Sequence, residues 1–303
     1  MSGLGDRRIL VTGASGSVGS AVAAALAGDN EVWGLARFSR PGSAEEAAAS
    51  GIRPVVADLA DLDPSVLPAV DLVLHFAVDM FTEPDFERAH RHNVEPAAVL
   101  LDHYRDVEAF LHCSSTVVYE ADPRPRREDA PLGDYLRHFY PTYSISKIAA
   151  EAVVRTVARL HGVPVTIARL NVPYGDTTGM PTMQLEAILA GEPVVVHPEF
   201  PDVFAPIHLD DMVRTLPALL GAATVPATIV NWGGDEPVGV VEWSEHMAAL
   251  LGREAVIVRS EGAIKGMCPD VTVLRELVGG PVCTIGWREG MRRMVEAATA
   301  TAR

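Results

Sequence analysis

The stretch Ile9-Leu10-Val11-Thr12-Gly13-Ala14-Ser15-Gly16-Ser17-Val18-Gly19 decides the fold. An apolar run leads into three glycines spaced G-x-x-G-x-x-G, and an alanine-rich apolar segment follows them. This order of strand, glycine turn and helix is typical of a loop that holds a dinucleotide pyrophosphate at a helix N-terminus. Its spacing has one residue more than the G-x-G-x-x-G fingerprint of dehydrogenases. The stretch predicts a dinucleotide-binding domain at the start of the chain.

Strand and helix patterns alternate through the first half of the chain. The patterns predict strands at 8–11, 31–35, 55–57, 72–76, 109–113 and 165–170, and helices at 18–27, 84–104 and 143–161. Short apolar strands separated by helices indicate the α/β class, with a Rossmann-type, doubly wound parallel sheet. Prolines and glycines become frequent after Asn171. We therefore expect a dinucleotide-binding Rossmann domain over 1–171, with a returning strand near 229–234, and a smaller C-terminal substrate-binding lobe over 172–303.

Composition narrows the class of protein. The chain has 303 residues, 48% of them hydrophobic, and a formal net charge of −15. Nucleic acids and anionic membranes attract clustered Lys and Arg, so neither is an expected partner. No apolar run is long enough to span a membrane, and the short polar stretch 1–8 does not resemble a signal peptide. Three widely spaced cysteines fit a reducing compartment. We expect a cytoplasmic protein with a small-molecule substrate and no metal.

The residues that follow the second predicted strand bear on cofactor choice. Dinucleotide sites that bind NAD place an acidic residue on the ribose at this point, whereas arginine accommodates the 2′-phosphate of NADP. Here the strand ends in Gly34-Leu35-Ala36-Arg37-Phe38-Ser39-Arg40, which lacks the acid. Arg37 therefore favours NADP, with NAD as the alternative. The competing interpretation is that Arg37 and Arg40 are ordinary loop charges.

Tyr143-Ser144-Ile145-Ser146-Lys147 places a tyrosine and a lysine four residues apart, on one face of a predicted helix. A nearby ammonium favours the phenolate, so we expect the pKa of Tyr143 to fall below its ordinary value of about 10. Tyr143 then suits acid/base chemistry on an alcohol or ketone. The same spacing also arises by chance in many helices.

Cys113-Ser114-Ser115-Thr116-Val117-Val118-Tyr119 follows the fifth predicted strand. Hydroxyl groups at the carboxyl end of a parallel strand face the crevice in which ligands bind. Ser115 is thus a candidate donor to a developing alkoxide. The alternative is a Ser/Thr turn that ends the strand.

Together these motifs resemble the extended short-chain dehydrogenase/reductases, and more narrowly the NAD(P)-dependent epimerase/dehydratase family. The resemblance covers nearly the whole chain, in the family's order. It rests on the glycine turn, Asp58-Leu59, His75-Phe76-Ala77, Asn93-Val94, Ser114-Ser115, Tyr143-x-x-x-Lys147, Arg169-Leu170, Tyr174-Gly175, Pro206-Ile207-His208-Leu209-Asp210-Asp211 and Asn231-Trp232-Gly233-Gly234.

The resemblance implies roles for individual residues. Tyr143, Lys147 and Ser115 are the implied catalytic residues: acid/base, ribose-binding lysine and donor to the substrate oxygen. Asn93 is expected to order the active-site helix. A homodimer paired through the helices at 84–104 and 143–161 is the family expectation. The implied cofactor-binding residues are Gly13, Ser15, Gly16, Ser17, Val18, Gly19, Arg37, Asp58, Leu59, Phe76, Ala77, Tyr143 and Lys147.

Three departures from the family limit the inference about substrate. Thr116 and Val117 stand where the 4,6-dehydratases carry an acidic pair. Phe204 stands where nucleotide-sugar epimerases place a diphosphate-binding arginine, and Asn171 falls one position before the family's substrate asparagine. A site without such clamps is unfavourable for a doubly charged group. The sequence thus favours a less charged, sugar-like or natural-product substrate.

Three functions remain open. The first is a ketoreductase or alcohol dehydrogenase with net hydride transfer to or from NADP(H), which Arg37 and the missing clamps favour. The second is an NAD(P)-dependent sugar or nucleotide-sugar epimerase, which the overall family shape favours. The third is a non-catalytic dinucleotide-binding regulator. Such proteins tend to lose the catalytic tyrosine or lysine, and this chain has both.

Overall fold

The computed structural model describes residues 4–80 and 82–301. Residues 1–3 of the polar N-terminal stretch lie outside this part. Fourteen strands, β1 to β14, occur in the described residues. Their bounds are Arg8–Thr12, Glu31–Ala36, Arg53–Val56, Leu72–His75, Ala109–Ser115, Val165–Leu170, Val172–Gly175, Thr178–Gly179, Val194–Val196, Val203–Phe204, Pro206–His208, Thr228–Trp232, Val238–Gly239 and Ile257–Arg259.

Ten α-helices, α1 to α10, occur in the same described residues. They span Ser17–Leu26, Ser43–Ala49, Phe86–Asn93, Glu95–His103, Tyr143–His161, Met180–Ala190, Leu209–Gly221, Val240–Leu250, Thr272–Val278 and Trp287–Thr301. None of the helices in residues 4–80 and 82–301 combines the length and the apolar character needed to cross a membrane.

A seven-stranded sheet has the order β12-β6-β5-β4-β1-β2-β3. The pairs β5–β4, β4–β1, β1–β2 and β2–β3 are parallel. Ile9, Leu10 and Val11 of β1 have no exposed surface, as expected for a central strand covered on both faces. Helices α4 and α5 contribute to the buried cluster that covers β1, β4, β5 and β6. This arrangement confirms the predicted Rossmann-type fold.

The chain folds into two compact units. The first consists of 1–119, 131–169 and 213–230, and the second of 120–130, 170–212 and 231–303. The second unit contains the small sheets β11-β7-β8, β10-β13 and β14-β9. The predicted division at residue 171, and the binding role assigned to each part, stay predictions.

The predicted helix over 84–104 is two helices. α3 ends at Asn93 and α4 begins at Glu95, with Val94 between them. Pro96 lies in the first turn of α4, where its missing N–H group costs nothing, whereas inside a continuous helix it would remove a hydrogen bond. The single-helix prediction is therefore wrong at this point.

Candidate active site

The glycine turn connects the end of β1 to the start of α1. Gly13 has φ +72°, and a Cβ atom there would lie 2.9 Å from the backbone of Ala77. Gly16 donates its N–H group to the carbonyl oxygen of Gly13 at 2.9 Å. A Cβ atom on Gly19 would lie 2.3 Å from that same oxygen. Only glycine at 13 and 19 lets the turn and the first helical turn pack this closely.

The start of α1 suits a bound anion. No side chain caps this helix, and its first turn has no acidic residue. Ser15, Gly16 and Ser17 are exposed, and Val18 is half-buried. The first N–H groups of a helix have no partner within it and carry a partial positive charge. The turn could therefore accommodate the pyrophosphate of a dinucleotide, and its role in binding one stays a prediction.

A buried hydrogen-bond chain connects this turn to the segment after β4. The Thr12 hydroxyl accepts the N–H of Ala77 at 3.1 Å and lies 2.8 Å from Nδ1 of His75. Burial and then the charge of Lys147 lower the pKa of His75 to about 3. His75 is thus neutral, and its Nδ1 shares a hydrogen bond with the Thr12 hydroxyl. These hydrogen bonds hold Ala77 beside Gly13. Phe76, which precedes Ala77, is buried.

Asp58 and Leu59 lie just beyond β3. The Asp58 carboxylate accepts the N–H of Ala60 at 3.0 Å and caps a short 3-10 turn. Leu59 packs against the buried cluster under the sheet. Both residues thus follow the carboxyl end of a parallel strand, which is the edge where ligands of such sheets bind.

Arg37 follows β2 directly, and its side chain is 54% exposed. Its guanidinium lies 3.7 Å from the carboxylate of Asp79. Arg40 forms an exposed ion pair with Glu46 through both guanidinium NH2 groups. Arg37, the residue predicted to face a 2′-phosphate, and its neighbour Arg40 therefore both have carboxylate partners.

Ser115, Tyr143 and Lys147 meet at the end of β5. Ser115 is the last residue of this strand, and Tyr143 is the first residue of α5. The Ser115 hydroxyl lies close enough to the Tyr143 phenol to lower its pKa. Lys147, only 3% exposed, donates from Nζ to the Cys113 carbonyl oxygen at 2.8 Å. The three predicted catalytic residues therefore lie together in the first unit.

The expected lowering of the Tyr143 pKa is wrong. Burial raises its pKa to about 12, and the nearby Ser115 hydroxyl only partly opposes this rise. Burial also lowers the pKa of Lys147. The i, i+4 spacing predicts proximity along a helix, but it carries no information on burial, which disfavours the charged form of both groups.

Asn93 connects α3 to α5. Its side-chain oxygen accepts the N–H of Asp79 at 2.7 Å, and its amide donates to the Asp79 carbonyl at 2.8 Å. The same amide lies 3.3 Å from the Ser146 hydroxyl on α5. These contacts agree with the expectation that Asn93 orders the helix that carries Tyr143 and Lys147.

Sequence reasoning missed a buried polar cluster behind these residues. Glu151 and Arg169 are 4% and 2% exposed and form an ion pair. Glu151 stands four residues after Lys147, so it continues the line of Tyr143 and Lys147 along α5. A carboxylate on the buried face of a helix is the signal that was available in the sequence, because such groups are rarely buried unpaired.

Phe204 and Asn171, the two departures at substrate-binding positions of the family, have structural explanations in the second unit. Phe204 is 4% exposed, and its ring centroid lies 6.1 Å from that of Trp243. Asn171 donates to the Met267 carbonyl at 2.8 Å and accepts the Ala205 N–H at 2.9 Å. Phe204 is therefore a core residue, and the Asn171 amide joins backbone segments.

A glycine turn before an uncapped helix, together with adjacent Ser, Tyr and Lys side chains, defines a dinucleotide-dependent enzyme of the extended short-chain dehydrogenase/reductase type. Among residues 4–80 and 82–301, no three His, Cys, Asp or Glu side chains are grouped to hold a metal ion. The sequence profile of the NAD dependent epimerase/dehydratase family matches residues 9–233. The chain belongs to this family, and it is an enzyme.

Curated relatives are distant. A trifunctional UDP-glucose 4,6-dehydratase/UDP-4-keto-6-deoxy-D-glucose 3,5-epimerase/UDP-4-keto-L-rhamnose-reductase of Arabidopsis thaliana is 25% identical over 81% of this chain and 40% of its own length. The chain thus spans less than half of that relative. An uncharacterized UDP-glucose epimerase of Bacillus subtilis is 24% identical over 82% of this chain and 84% of its own length.

A solved structure of MoeE5 in complex with UDP-glucose and NAD has a similar fold. Its TM-score is 0.80 at 25% sequence identity, and the match covers 99% of this chain and 100% of that one. The similarity therefore extends over both compact units of the chain.

Proposed function

We propose that this protein is an NAD-dependent epimerase that inverts a hydroxyl-bearing carbon of a sugar or sugar-like substrate. The observation that carries the proposal is the cluster of Ser115, Tyr143 and Lys147, in the unit that also contains the glycine turn. UDP-sugar epimerases and dehydratases among the relatives support this reaction class. MoeE5 supports NAD as the cofactor.

The roles of the residues follow from their environment. NAD, when bound, would supply a reversible hydride acceptor, and inversion would require the hydride to return to the opposite face of the oxidised carbon. Tyr143 accepts the proton of the substrate hydroxyl and later gives it back, so proton and hydride balance over one turnover. Ser115 donates a hydrogen bond to the substrate oxygen as charge develops on it. Lys147 is assigned to the cofactor ribose.

The proposed substrate is a sugar whose recognition does not depend on Phe204 or Asn171. Phe204 is apolar and buried. The side-chain amide of Asn171 hydrogen-bonds backbone groups through both its nitrogen and its oxygen. We assign substrate binding to the second unit and dinucleotide binding to the first. A cytoplasmic homodimer remains a prediction of the sequence.

NAD is preferred over NADP in this proposal because of Asp79. Its carboxylate lies 3.7 Å from the guanidinium of Arg37 and offsets the charge that would attract a 2′-phosphate. Asn93 holds the backbone of Asp79 on both sides, which keeps the carboxylate near the arginine. The same carboxylate repels a 2′-phosphate directly.

Asp79→Asn is expected to tighten NADP+ binding up to roughly fivefold and to leave NAD+ binding unchanged. A surface ion pair is worth about 0.2–1 kcal/mol, and about 1.4 kcal/mol corresponds to tenfold in affinity. Isothermal titration calorimetry measures both dissociation constants. Arg40→Ala is the matched control, since Arg40 pairs with Glu46 instead. Equal changes for NAD+ and NADP+ would rule out the proposed effect of Asp79.

Cofactor retention and turnover without added cofactor test the function itself. We expect mass spectrometry after gentle denaturation to release NAD from the purified protein. We also expect UDP-glucose and UDP-galactose to interconvert without net change at 340 nm. Failure to interconvert these two sugars, or UDP-glucuronate and UDP-galacturonate, would count against nucleotide-sugar epimerisation.

A ketoreductase is the second candidate. Arg37 after β2 favours a ketoreductase because arginine suits the 2′-phosphate of NADP. The buried Phe204 also favours it, because an apolar side chain there disfavours a diphosphate substrate. Protein that is purified without cofactor and then oxidises NADPH in the presence of small ketones would establish this reaction in place of the epimerase.

A further inference from the structure

Helix α5 carries a third polar residue in line with the two that the proposed reaction uses. Tyr143, Lys147 and Glu151 are spaced by four residues, so they lie along one face of the helix. Glu151 is 4% exposed. A buried carboxylate is stable only when hydrogen bonds and an opposite charge compensate for its lost hydration. The residues that hydrogen-bond the Glu151 carboxylate therefore indicate which parts of the structure it holds in place.

Two residues bind the Glu151 carboxylate. Ser114 donates its hydroxyl to Oε1 at 2.6 Å. Arg169 donates from Nε to Oε1 at 2.9 Å and from Nη2 to Oε2 at 2.7 Å. The arginine contact is bidentate and charge-assisted, which is the strongest and most directional form of this pair. Ser114 immediately precedes Ser115 in β5, so this contact connects α5 to the strand end that carries the proposed substrate donor.

Arg169 extends the network to the other side of Ser115. Its Nη1 group donates to the Tyr119 hydroxyl at 3.0 Å, and its guanidinium carbon lies 4.8 Å from the centre of the Tyr119 ring. Tyr119 follows the short 3-10 turn Thr116–Val118, for which Ser115 is the N-cap. The network therefore holds the chain on both sides of Ser115, at Ser114 and at Tyr119, against α5 and β6.

We propose that Glu151 is a positioning residue, whose carboxylate fixes the Ser115 hydroxyl and the Lys147 amine relative to Tyr143. The assignment rests on the proposed roles of Ser115, Tyr143 and Lys147. Glu151 acts through Ser114 and Arg169 on the strand end, and through its charge on Lys147.

The charge of Glu151 also acts on Lys147. Burial lowers the pKa of Lys147, and Cys113 and then Glu151 partly oppose this lowering. A buried charge shifts a nearby lysine pKa whatever else it does, so the hydrogen bonds of Ser114 and Arg169 carry the positioning role. The titratable groups that face Lys147 lie on β4, β5 and α5: His75, His112, Cys113, Tyr143 and Glu151. The two histidines are neutral because burial lowers their pKa values, so Glu151 is the carboxylate of this set.

Lysine NMR gives a direct and substrate-independent test, because the chain contains only two lysines, Lys147 and Lys265. Protein labelled with [13Cε]lysine is titrated with pH, and Lys265→Arg assigns the two signals. We expect Glu151→Gln, which keeps the shape of the side chain and removes its charge, to lower the pKa of Lys147 further. Thr166→Val is the matched control, since it removes another buried hydrogen bond, to the Leu219 carbonyl at 2.7 Å. It should leave the Lys147 titration unchanged.

A second variant, Ser114→Ala, tests whether Glu151 acts on Ser115 through the neighbouring Ser114. It keeps the Glu151–Arg169 ion pair. Ser114→Ala removes only one hydrogen bond to Glu151, and we expect kcat to fall by roughly 10- to 100-fold with an unchanged Kd for NAD+, because small displacements of reacting groups have effects of this size. An unshifted Lys147 titration in Glu151→Gln overturns the proposal. Wild-type kcat in folded Ser114→Ala overturns it as well, whether or not Glu151→Gln folds. A wild-type enzyme without turnover refutes the proposed function, whereas the lysine titration still decides the role of Glu151.

Discussion

Tyr143→Phe is expected to lower kcat by about 10²- to 10⁴-fold, the range typical of a lost general acid/base. The substitution removes only the phenol oxygen, so the ring continues to fill its place at the start of α5. Lys147 keeps its hydrogen bond to the Cys113 carbonyl oxygen. NAD+ affinity should therefore stay within about twofold, because the groups that fit the pyrophosphate are unchanged. Steady-state kinetics and calorimetry measure the two quantities separately.

Tyr140→Phe is the matched control for this variant. The ring centroids of Tyr140 and Tyr143 are 6.4 Å apart, and both side chains are half-buried. Loss of the Tyr140 hydroxyl should leave kcat near the wild-type value. Full turnover in Tyr143→Phe, or equal losses in both variants, would exclude Tyr143 as the acid/base.

The wild-type enzyme should also respond to pH in a defined direction. Burial raises the pKa of Tyr143 to about 12, so the phenolate is a minor form at neutral pH. Oxidation of a substrate hydroxyl needs that form, and its rate is expected to rise with pH above neutrality. The rise ends when Lys147, whose pKa burial lowers, loses its proton. The Tyr143-dependent rise must be absent in Tyr143→Phe.

The central sheet was largely predictable because its strands are short, apolar and separated by helices. The strand over 165–170 and the helix over 143–161 have the predicted bounds. β5 runs two residues further than predicted, because Ser114 and Ser115 are polar but buried and continue the strand. The prediction that β5 ends at residue 113 was too early, because it relied on the polarity of Ser114 and Ser115.

The site was predictable in its members but not in its electrostatics. Tyr143, Lys147 and Ser115 are recognisable from spacing and motif, and the structure brings them together. The Cys113 carbonyl as partner of Lys147 and the Asp79 partner of Arg37 depend on contacts between distant segments. The second unit was less predictable, because strands such as Val203–Phe204 are too short to show a hydrophobic period.

Gly19→Ala is expected to lower both the free energy of unfolding and the affinity for NAD+. The new Cβ atom would lie 2.3 Å from the carbonyl oxygen of Gly13 and 2.8 Å from its carbonyl carbon. Both atoms belong to the backbone, so no side-chain rotation relieves the overlap, and the turn must move away from α1. Overpacking of this kind costs about 1–3 kcal/mol, which chemical denaturation measures.

The same displacement should weaken NAD+ binding by roughly 10- to 100-fold. In the variant, the N–H groups of the glycine turn and of the first helical turn of α1 no longer converge on one point. Restoring their geometry on binding would make the binding free energy about 1–3 kcal/mol less favourable. Gly28→Ala is the matched control, since a Cβ atom there has no neighbour within 4 Å. It should change neither quantity. Wild-type NAD+ affinity in a Gly19→Ala protein with lowered stability would show that the turn packs on α1 but does not bind the pyrophosphate.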